Sequence, residues 1–365
     1  MNMPNMNPLV QLHALGQRIW LDNLSRTLLR EGKLQKLITE DRIAGVTSNP
    51  TIFYKAISES PYYREELQGL KADPALSSEQ RYETLAIADI RGACDLLQPL
   101  HKSTAGDDGY VSLEVSPALA HDADATVAAG LRLKAAVGRD NLLIKVPATA
   151  AGLVAIEQLL AQGCSVNVTL MFSLRHVHDV AQAYQRGIRR LVDAGGDPRK
   201  VKSVASLFLS RVDTLIDKRL EALGGAALSL RGRSAVALAR LAYRDYLMLF
   251  SATAFGDLAR RGARPQNMLW ASTGTKNPAY SDVLYVESLI GPQTINTVPD
   301  ATLAAFRDHG KAEATLQRDV DAASELFATL RQLGIDPDAV GDELQVEGLK
   351  LFEDSFRQLL ALTAA

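Results

Sequence analysis

Several features that would narrow the class of this chain at once are missing from it. Its 365 residues include two cysteines, Cys94 and Cys164, too few for a disulfide framework or a cysteine-rich zinc site. Neither sign of charge dominates: 40 Lys and Arg stand against 42 Asp and Glu, a net charge of −2. The positive excess that carries nucleic-acid binding is therefore absent, and nucleic acid is not an expected partner. No apolar run approaches the ~20 residues needed to span a bilayer, so no membrane association is expected. Residues 1–8 are polar and lack the basic-then-apolar pattern of a secretory signal. No G-x-G-x-x-G turn follows the first candidate strand, which counts against an open doubly wound dinucleotide-binding sheet. There is no internal repeat and no low-complexity linker. The remaining expectation is a soluble protein of a reducing compartment, the cytoplasm being the simplest choice.

What is present has an ordinary globular balance, 47% hydrophobic and 22% charged. Short apolar runs alternate with long Ala- and Leu-rich stretches at helical spacing. Candidate strands fall at 18–22, 43–49, 110–115, 141–147, 164–170, 201–207, 267–272 and 293–298, with helical patterns such as 122–137 and 151–162 between them. Eight strand–helix units predict a closed parallel (β/α)8 barrel. Such barrels form one unit at this length, so residues 1–365 are expected to make a single domain. The long intervals before the third and seventh strands must each hold more than one helix. Gly195-Gly196, Gly224-Gly225 and Asp107-Asp108-Gly109 read as turns. Beyond Val298 the chain continues with helical patterns at 301–310, 312–334 and 348–362, a C-terminal helical extension over about 301–365.

The strands make a common exception to their apolar character. A parallel barrel strand is covered outside by helices, so its all-aliphatic face belongs outside. In Leu142-Leu143-Ile144-Lys145-Val146 this rule turns Lys145 inward. By the same parity Ser112 and Glu114 point inward from the third strand, and Ser165, Asn167 and Thr169 from the fifth. Trp20 shares a face with Asp22, and Thr47 with Asn49. These polar groups fall near the C-terminal strand ends, where barrel enzymes keep their sites. A lysine, carboxylates and amides aimed at one spot cost stability unless they pair with each other, with water or with a ligand. Desolvation favours the neutral amine of a buried lysine, which can attack a carbonyl carbon and form a Schiff base. Such chemistry requires neither metal nor cofactor. The His176-x-His178 pair lies at the start of a helix, where i and i+2 diverge, and is not expected to hold a metal. Cys94, Cys164 and Trp270 read as packing residues.

At these residues the sequence resembles the transaldolase family. The matching segments are Trp20-Leu21-Asp22, Gly45-Val46-Thr47-Ser48-Asn49-Pro50-Thr51, Ser112-Leu113-Glu114-Val115, Leu143-Ile144-Lys145-Val146-Pro147-Ala148-Thr149 and Val166-Asn167-Val168-Thr169-Leu170-Met171-Phe172-Ser173. Ser206-Leu207-Phe208-Leu209-Ser210-Arg211 and Trp270-Ala271-Ser272-Thr273-Gly274-Thr275-Lys276 follow in order, and the overall length resembles the longer branch of the family. The resemblance implies a pentose phosphate pathway enzyme that carries a dihydroxyacetone unit from a ketose phosphate to an aldose phosphate. It implies Lys145 as the Schiff-base lysine and Asp22 as the acid/base of C–C cleavage. Glu114 and Thr169 would hold a catalytic water; Asn49, Asn167 and Ser206 would bind substrate hydroxyls; Arg211 and Ser272 would bind phosphate.

The family's shorter members carry proline and glycine where this chain has Leu207 and Ser210, and an arginine where it offers Lys276 as the second phosphate cation. Its aldolase relatives carry glutamine in place of Glu114 and tyrosine in place of Phe208. Two other readings start from the same residues: a Schiff-base aldolase releasing free dihydroxyacetone, and a non-catalytic phosphosugar-binding barrel. The latter fits poorly with burying Lys145, Glu114 and Asp22 together, which binding alone does not require. Phosphorylated sugars are the partners implied; nothing in the sequence chooses between a monomer and a homodimer.

Overall fold

The computed structural model describes residues 7–365. The polar segment read above as lacking a secretory signal therefore lies mostly outside the described residues. Eight parallel strands close into a barrel in strict sequence order. They are β1 (Gln17–Leu21), β2 (Gly45–Val46), β3 (Tyr110–Glu114), β4 (Leu142–Pro147), β5 (Val166–Met171), β6 (Ser203–Phe208), β7 (Asn267–Ala271) and β8 (Thr294–Val298). The expected (β/α)8 barrel is thus the observed one. The interval before β3 holds the helices Pro50–Glu59, Arg64–Ala72 and Ser78–Ser103; that before β7 holds Ser210–Leu223, Ser234–Leu249 and Ala252–Arg260. No helix among the described residues is long and apolar enough to cross a membrane.

The boundaries differ from the sequence reading in instructive ways. β2 is two residues long rather than seven. Single bonds extend its pairing, Ala44 N–H to the Ile19 carbonyl at 2.8 Å and Thr47 N–H to that of Leu21 at 2.9 Å. Asn49 has already left the strand to cap the helix Pro50–Glu59, its Oδ1 accepting from Ile52 N–H at 3.0 Å. Pro50 at the first helical position suits this, because that N–H would have no intrahelical partner. The pattern at 312–334 is helical only over Val320–Gln332. The N–H groups of Thr315 and Leu316 instead bond the Ile290 carbonyl, at 3.0 and 3.1 Å. The pattern at 348–362 is the second half of a 27-residue helix, Pro337–Thr363. Gly341 and Gly348 interrupt its apolar period, and both are points of close approach: a Cβ on Gly341 would stand 2.6 Å from the Ser173 side chain, and one on Gly348 would stand 3.0 Å from Leu170.

Inside the barrel, Trp20 fills the layer below the strand ends with no exposed surface. Its indole lies on Gly45, its neighbour in register on β2. A Cβ at residue 45 would stand 2.5 Å from two indole carbons. At the opposite, N-terminal end, Arg18–Asp108 at 2.7 Å and buried Lys202–Asp107 at 2.8 Å close the barrel floor. The packing of Trp20 against Gly45 makes Gly45→Ala an overpacking substitution, and such changes cost roughly 1–3 kcal/mol. We expect a lowered denaturant midpoint in equilibrium unfolding of that variant; an unchanged midpoint would show that this layer has room to spare.

Candidate active site

The polar side chains that parity turned inward on β3, β4 and β5 meet inside the barrel. Lys145 is 4% exposed and points inward from the C-terminal half of β4. Its Nζ lies 3.3 Å from Glu114 Oε2 on β3, and it donates to the Ser48 carbonyl at 3.1 Å. The Phe352 ring, from the C-terminal helix, faces it with its centroid 5.6 Å away. Ser48 is itself fixed by donating to the Ser112 carbonyl at 2.7 Å. Asn167 spans the interior: its Nδ2 donates to Ser112 Oγ at 3.0 Å, and its Oδ1 accepts from Ser206 Oγ at 2.7 Å. Thr169, of the same parity on β5, is wholly buried, and its hydroxyl has no hydrogen-bond partner among the described residues.

Asp22 follows β1 directly; its N–H still bonds the Val298 carbonyl at 2.8 Å. Its Oδ1 accepts from Thr47 Oγ1 at 2.7 Å, and Thr47 Oγ1 lies 2.7 Å from Thr297 Oγ1 on β8. Burial pushes the Asp22 carboxyl above the ordinary carboxylate range, against the pull of Lys145 and of the Thr47 hydroxyl. Burial raises the Glu114 carboxyl in the same way, again opposed by Lys145. Asp22 and Lys145 thus share a space walled by Phe208, Ala271 and Phe352, with Glu114 paired to Lys145 behind it.

These groups open onto a cavity of about 330 Å³ at the C-terminal mouth, lined by Asp22, Asn49, Lys145, Ser206, Arg211, Ser272 and Lys276 among others. Glu114, Asn167 and Thr169 do not line it; Glu114 meets it through Lys145, and Asn167 through Ser206. Arg211 is the second residue of the helix Ser210–Leu223, and burial lowers its basicity. Its guanidinium lies 5.8 Å from the Phe208 ring centroid, and its Nη1 has no hydrogen-bond partner among the described residues. Ser272 follows β7 with φ +53°, and its Oγ is 2.8 Å from Ser210 Oγ. Such strain at a strand end is a common feature of ligand-binding positions.

Sequence reasoning missed the lining residues Ile52, Lys55, Thr297, Pro299 and Phe352. On β8 Thr297 shares its face with Ile295, while Thr294 and Asn296 fall on the other, so no all-aliphatic face marks Thr297 as inward. Lys55, on the helix Pro50–Glu59, and Phe352 gave no signal, because neither lies on a strand. Trp270 points away from the cavity, donating to the Leu289 carbonyl at 3.2 Å. His176 Nδ1 accepts from Phe172 N–H at 3.2 Å, while His178 Nε2 lies 3.1 Å from Asp245, so the two rings turn to different partners. Cys94 and Cys164 are buried, their thiols pushed up to about 12 and about 11.

The fold and site define a class: a parallel barrel with a buried lysine between two carboxylates, below a cationic mouth. Comparison with known proteins gives the family. The profile described as transaldolase/fructose-6-phosphate aldolase matches residues 19–363. A protein of Thiobacillus denitrificans named transaldolase is 54% identical over 98% of this chain and 99% of its own length. A transaldolase of Neisseria gonorrhoeae is 49% identical over 98% and 99%, and one of Frankia alni 46% over 98% and 97%. The chain belongs to the transaldolase/fructose-6-phosphate aldolase family.

The raised Asp22 carboxyl has a thermodynamic consequence. A carboxyl whose folded-state pKa lies above its unfolded value costs nothing at low pH, where both states are protonated. It destabilises the fold as pH rises from the unfolded toward the folded value, and the cost is then constant. Asn retains the oxygen that Thr47 bonds. Asp22→Asn is therefore expected to be more stable than the parent at pH 8, with the advantage shrinking toward pH 4. Denaturant unfolding at the two pH values measures it; a gain independent of pH would mean that the Asp22 charge is not what burial penalises.

Proposed function

We propose that this protein is a transaldolase acting through a Schiff base on Lys145, with phosphorylated ketoses and aldoses as its substrates. The observation that carries the reading is the placement of Lys145: a buried amine 3.3 Å from Glu114, sharing one cavity with Asp22 and with the cations Arg211 and Lys276. A neutral amine is the nucleophile for a ketone carbonyl, and the protonated imine it forms is an electron sink for C–C cleavage.

In this reading the Lys145 nitrogen attacks the ketose C2, and the carbinolamine loses water to give the iminium. Glu114 and Thr169 hold the water that relays these protons, a role suited to the Thr169 hydroxyl, which has no hydrogen-bond partner among the described residues, and to the Glu114 carboxylate paired with Lys145. Asp22 removes the C4 hydroxyl proton, the C3–C4 bond breaks, and its electrons pass to the iminium as an enamine. A carboxyl raised by burial matches that task, since it is a stronger base than an ordinary carboxylate. The Asn49 oxygen accepts from Ile52 N–H, which leaves its NH2 for a sugar hydroxyl, and the Asn167 amide, engaged by Ser112 and Ser206, acts on the substrate through Ser206. Ser206 completes that set. Arg211, Ser272 and Lys276 take the phosphate. Lys276 serves there as a point charge on a flexible stem, without the bidentate fork of an arginine.

Sodium borohydride with fructose 6-phosphate is expected to trap the substrate on Lys145, identified by sequencing the modified peptide, and Lys145→Ala is expected to lose turnover while remaining folded. Trapping on another lysine would refute the assignment. Transfer is expected to outrun release: sedoheptulose 7-phosphate forms with erythrose 4-phosphate present, while free dihydroxyacetone accumulates slowly without it. Phe208 cannot donate a proton to the enamine, and Phe208→Tyr should raise that release. Equal rates of transfer and release in the parent would make it an aldolase. Arg211→Ala is expected to raise KM for fructose 6-phosphate far more than for fructose, as loss of uniform binding does; equal effects would remove Arg211 from the phosphate site.

A further inference from the structure

Two buried carboxylates stand outside the chemistry described so far. Asp213 and Asp217 lie one turn apart on the helix that begins at Ser210 and carries Arg211. They are 2% and 6% exposed. Neither forms an ion pair with a cation among the described residues; each is satisfied by neutral donors alone. Asp213 Oδ2 accepts from Tyr285 Oη at 2.7 Å, and Oδ1 accepts from Ala235 N–H at 2.8 Å. Asp217 Oδ2 accepts from Tyr280 Oη at 2.6 Å, and Oδ1 from Gly232 N–H at 2.9 Å. Gly232 has φ +69°, and the Tyr280 ring packs against it so closely that a Cβ there would stand 2.7 Å from the ring.

Burying two like charges one helical turn apart costs stability, and apolar residues of similar size would pack the same space without that cost. What the arrangement specifies is geometry. Tyr280 belongs to the loop after β7, and Tyr285 to the short helix Leu284–Glu287 that ends it. That loop brings Ser272 and Lys276 to the cavity. At its start it is joined to the same helix by Ser210 N–H donating to the Ser272 carbonyl at 3.1 Å. The loop is thus held at both ends by the element that carries Arg211.

We propose that Asp213 and Asp217 are positioning residues which, through Tyr285 and Tyr280, hold the loop of Ser272 and Lys276 against the Arg211 helix, so that the three groups form one preassembled cradle for a sugar phosphate. The proposal rests on the reading of Arg211, Ser272 and Lys276 as the phosphate site. It assigns the strap to recognition of the phosphate and not to the chemistry at Lys145, because preorganisation lowers the cost of fixing mobile groups when the ligand binds.

The test compares Tyr280→Phe, Tyr285→Phe, Asp217→Ala and Asp217→Asn with Arg211→Ala, using fructose 6-phosphate and unphosphorylated fructose as donors. Tyr280→Phe, Tyr285→Phe and Asp217→Ala should raise KM for fructose 6-phosphate several-fold, on the order of tenfold at most, with kcat little changed and fructose cleavage unaffected. Asp217→Asn should restore the parent value, since its oxygen still accepts from Gly232 N–H and its amide donates to the Tyr280 oxygen. Tyr280 is only half-buried, so its phenylalanine variant decides the matter even if Tyr285→Phe does not fold. Equal losses with both donors, accompanied by a lower melting temperature, would reduce the strap to a structural tie and overturn the proposal. Phosphate selectivity lost in Arg211→Ala but untouched in the tyrosine variants would also overturn it while leaving the phosphate site standing. If Arg211→Ala does not discriminate between the donors, the phosphate site is misassigned and the strap falls with it.

Discussion

The contact between Lys145 and Glu114 constrains everything around it. Moving either charge from water into the barrel interior costs several kcal/mol, and their attraction offsets this only if the remaining polar atoms are met. The structure meets some of them: the Ser48 carbonyl takes one lysine proton, and the Phe352 ring faces the ammonium. A second carboxylate, Asp22, then shares the same lysine, which is why burial can raise both acids without expelling either. Ser48 in turn depends on Ser112, and Ser112 on Asn167 and Ser206, so that four strands are registered through one polar network. Such a network is stable only when its members are all in place, and it therefore fixes strand register more tightly than aliphatic packing would.

The strand ends above this network depart from regular geometry. On β5 the register shifts between Val168 and Met171, and Leu170 adopts φ +58°. On β7 the following residue, Ser272, is at φ +53°. In both cases the irregular residue is held from outside the strand. The Leu170 carbonyl accepts from Gln345 Nε2 at 3.0 Å, and the same amide donates to the Ala148 carbonyl at 2.9 Å after β4. Ser272 is held by Ser210. At Ser272 the strained residue stands at the mouth and lines the cavity.

This division explains what could be read from the sequence. The inward set on β3, β4 and β5 was legible because helices cover the outside of a parallel barrel, leaving one aliphatic parity and one exception to it. Lys145, Glu114, Asn167 and Thr169 follow from that rule alone. Asn49 was singled out with Thr47 on a shared strand face, but it stands past the end of β2 and caps a helix, a task that demands the same residue type as substrate contact. Arg211 and Lys276 lie beyond the strand ends, where alternation has ceased; only resemblance singled them out. β2 was read too long because a continuous apolar-then-polar run does not announce where hydrogen bonding stops. The C-terminal helix was read too short because Gly341 and Gly348 look like interruptions, whereas they are the points at which the helix touches the barrel.

That helix also shows why the end of the chain cannot be treated as an appendage. Phe352 stands over Lys145, and Gly348 lets the helix backbone approach within 3.4 Å of the Arg211 guanidinium, measured from where a Cβ would be. Glu347 draws the Arg211 charge back toward its ordinary basicity against the effect of burial. Thr51 Oγ1 donates to Ser355 Oγ at 2.8 Å, two residues beyond the Asn49 cap. One helix therefore touches the cap after β2, the carbonyls after β4 and β5, and the cation after β6. These elements come from distant parts of the sequence, and the one helix Pro337–Thr363 touches all of them. The deep lysine is specified by the barrel, but the enclosed space in which it would react is specified by the last helix of the chain.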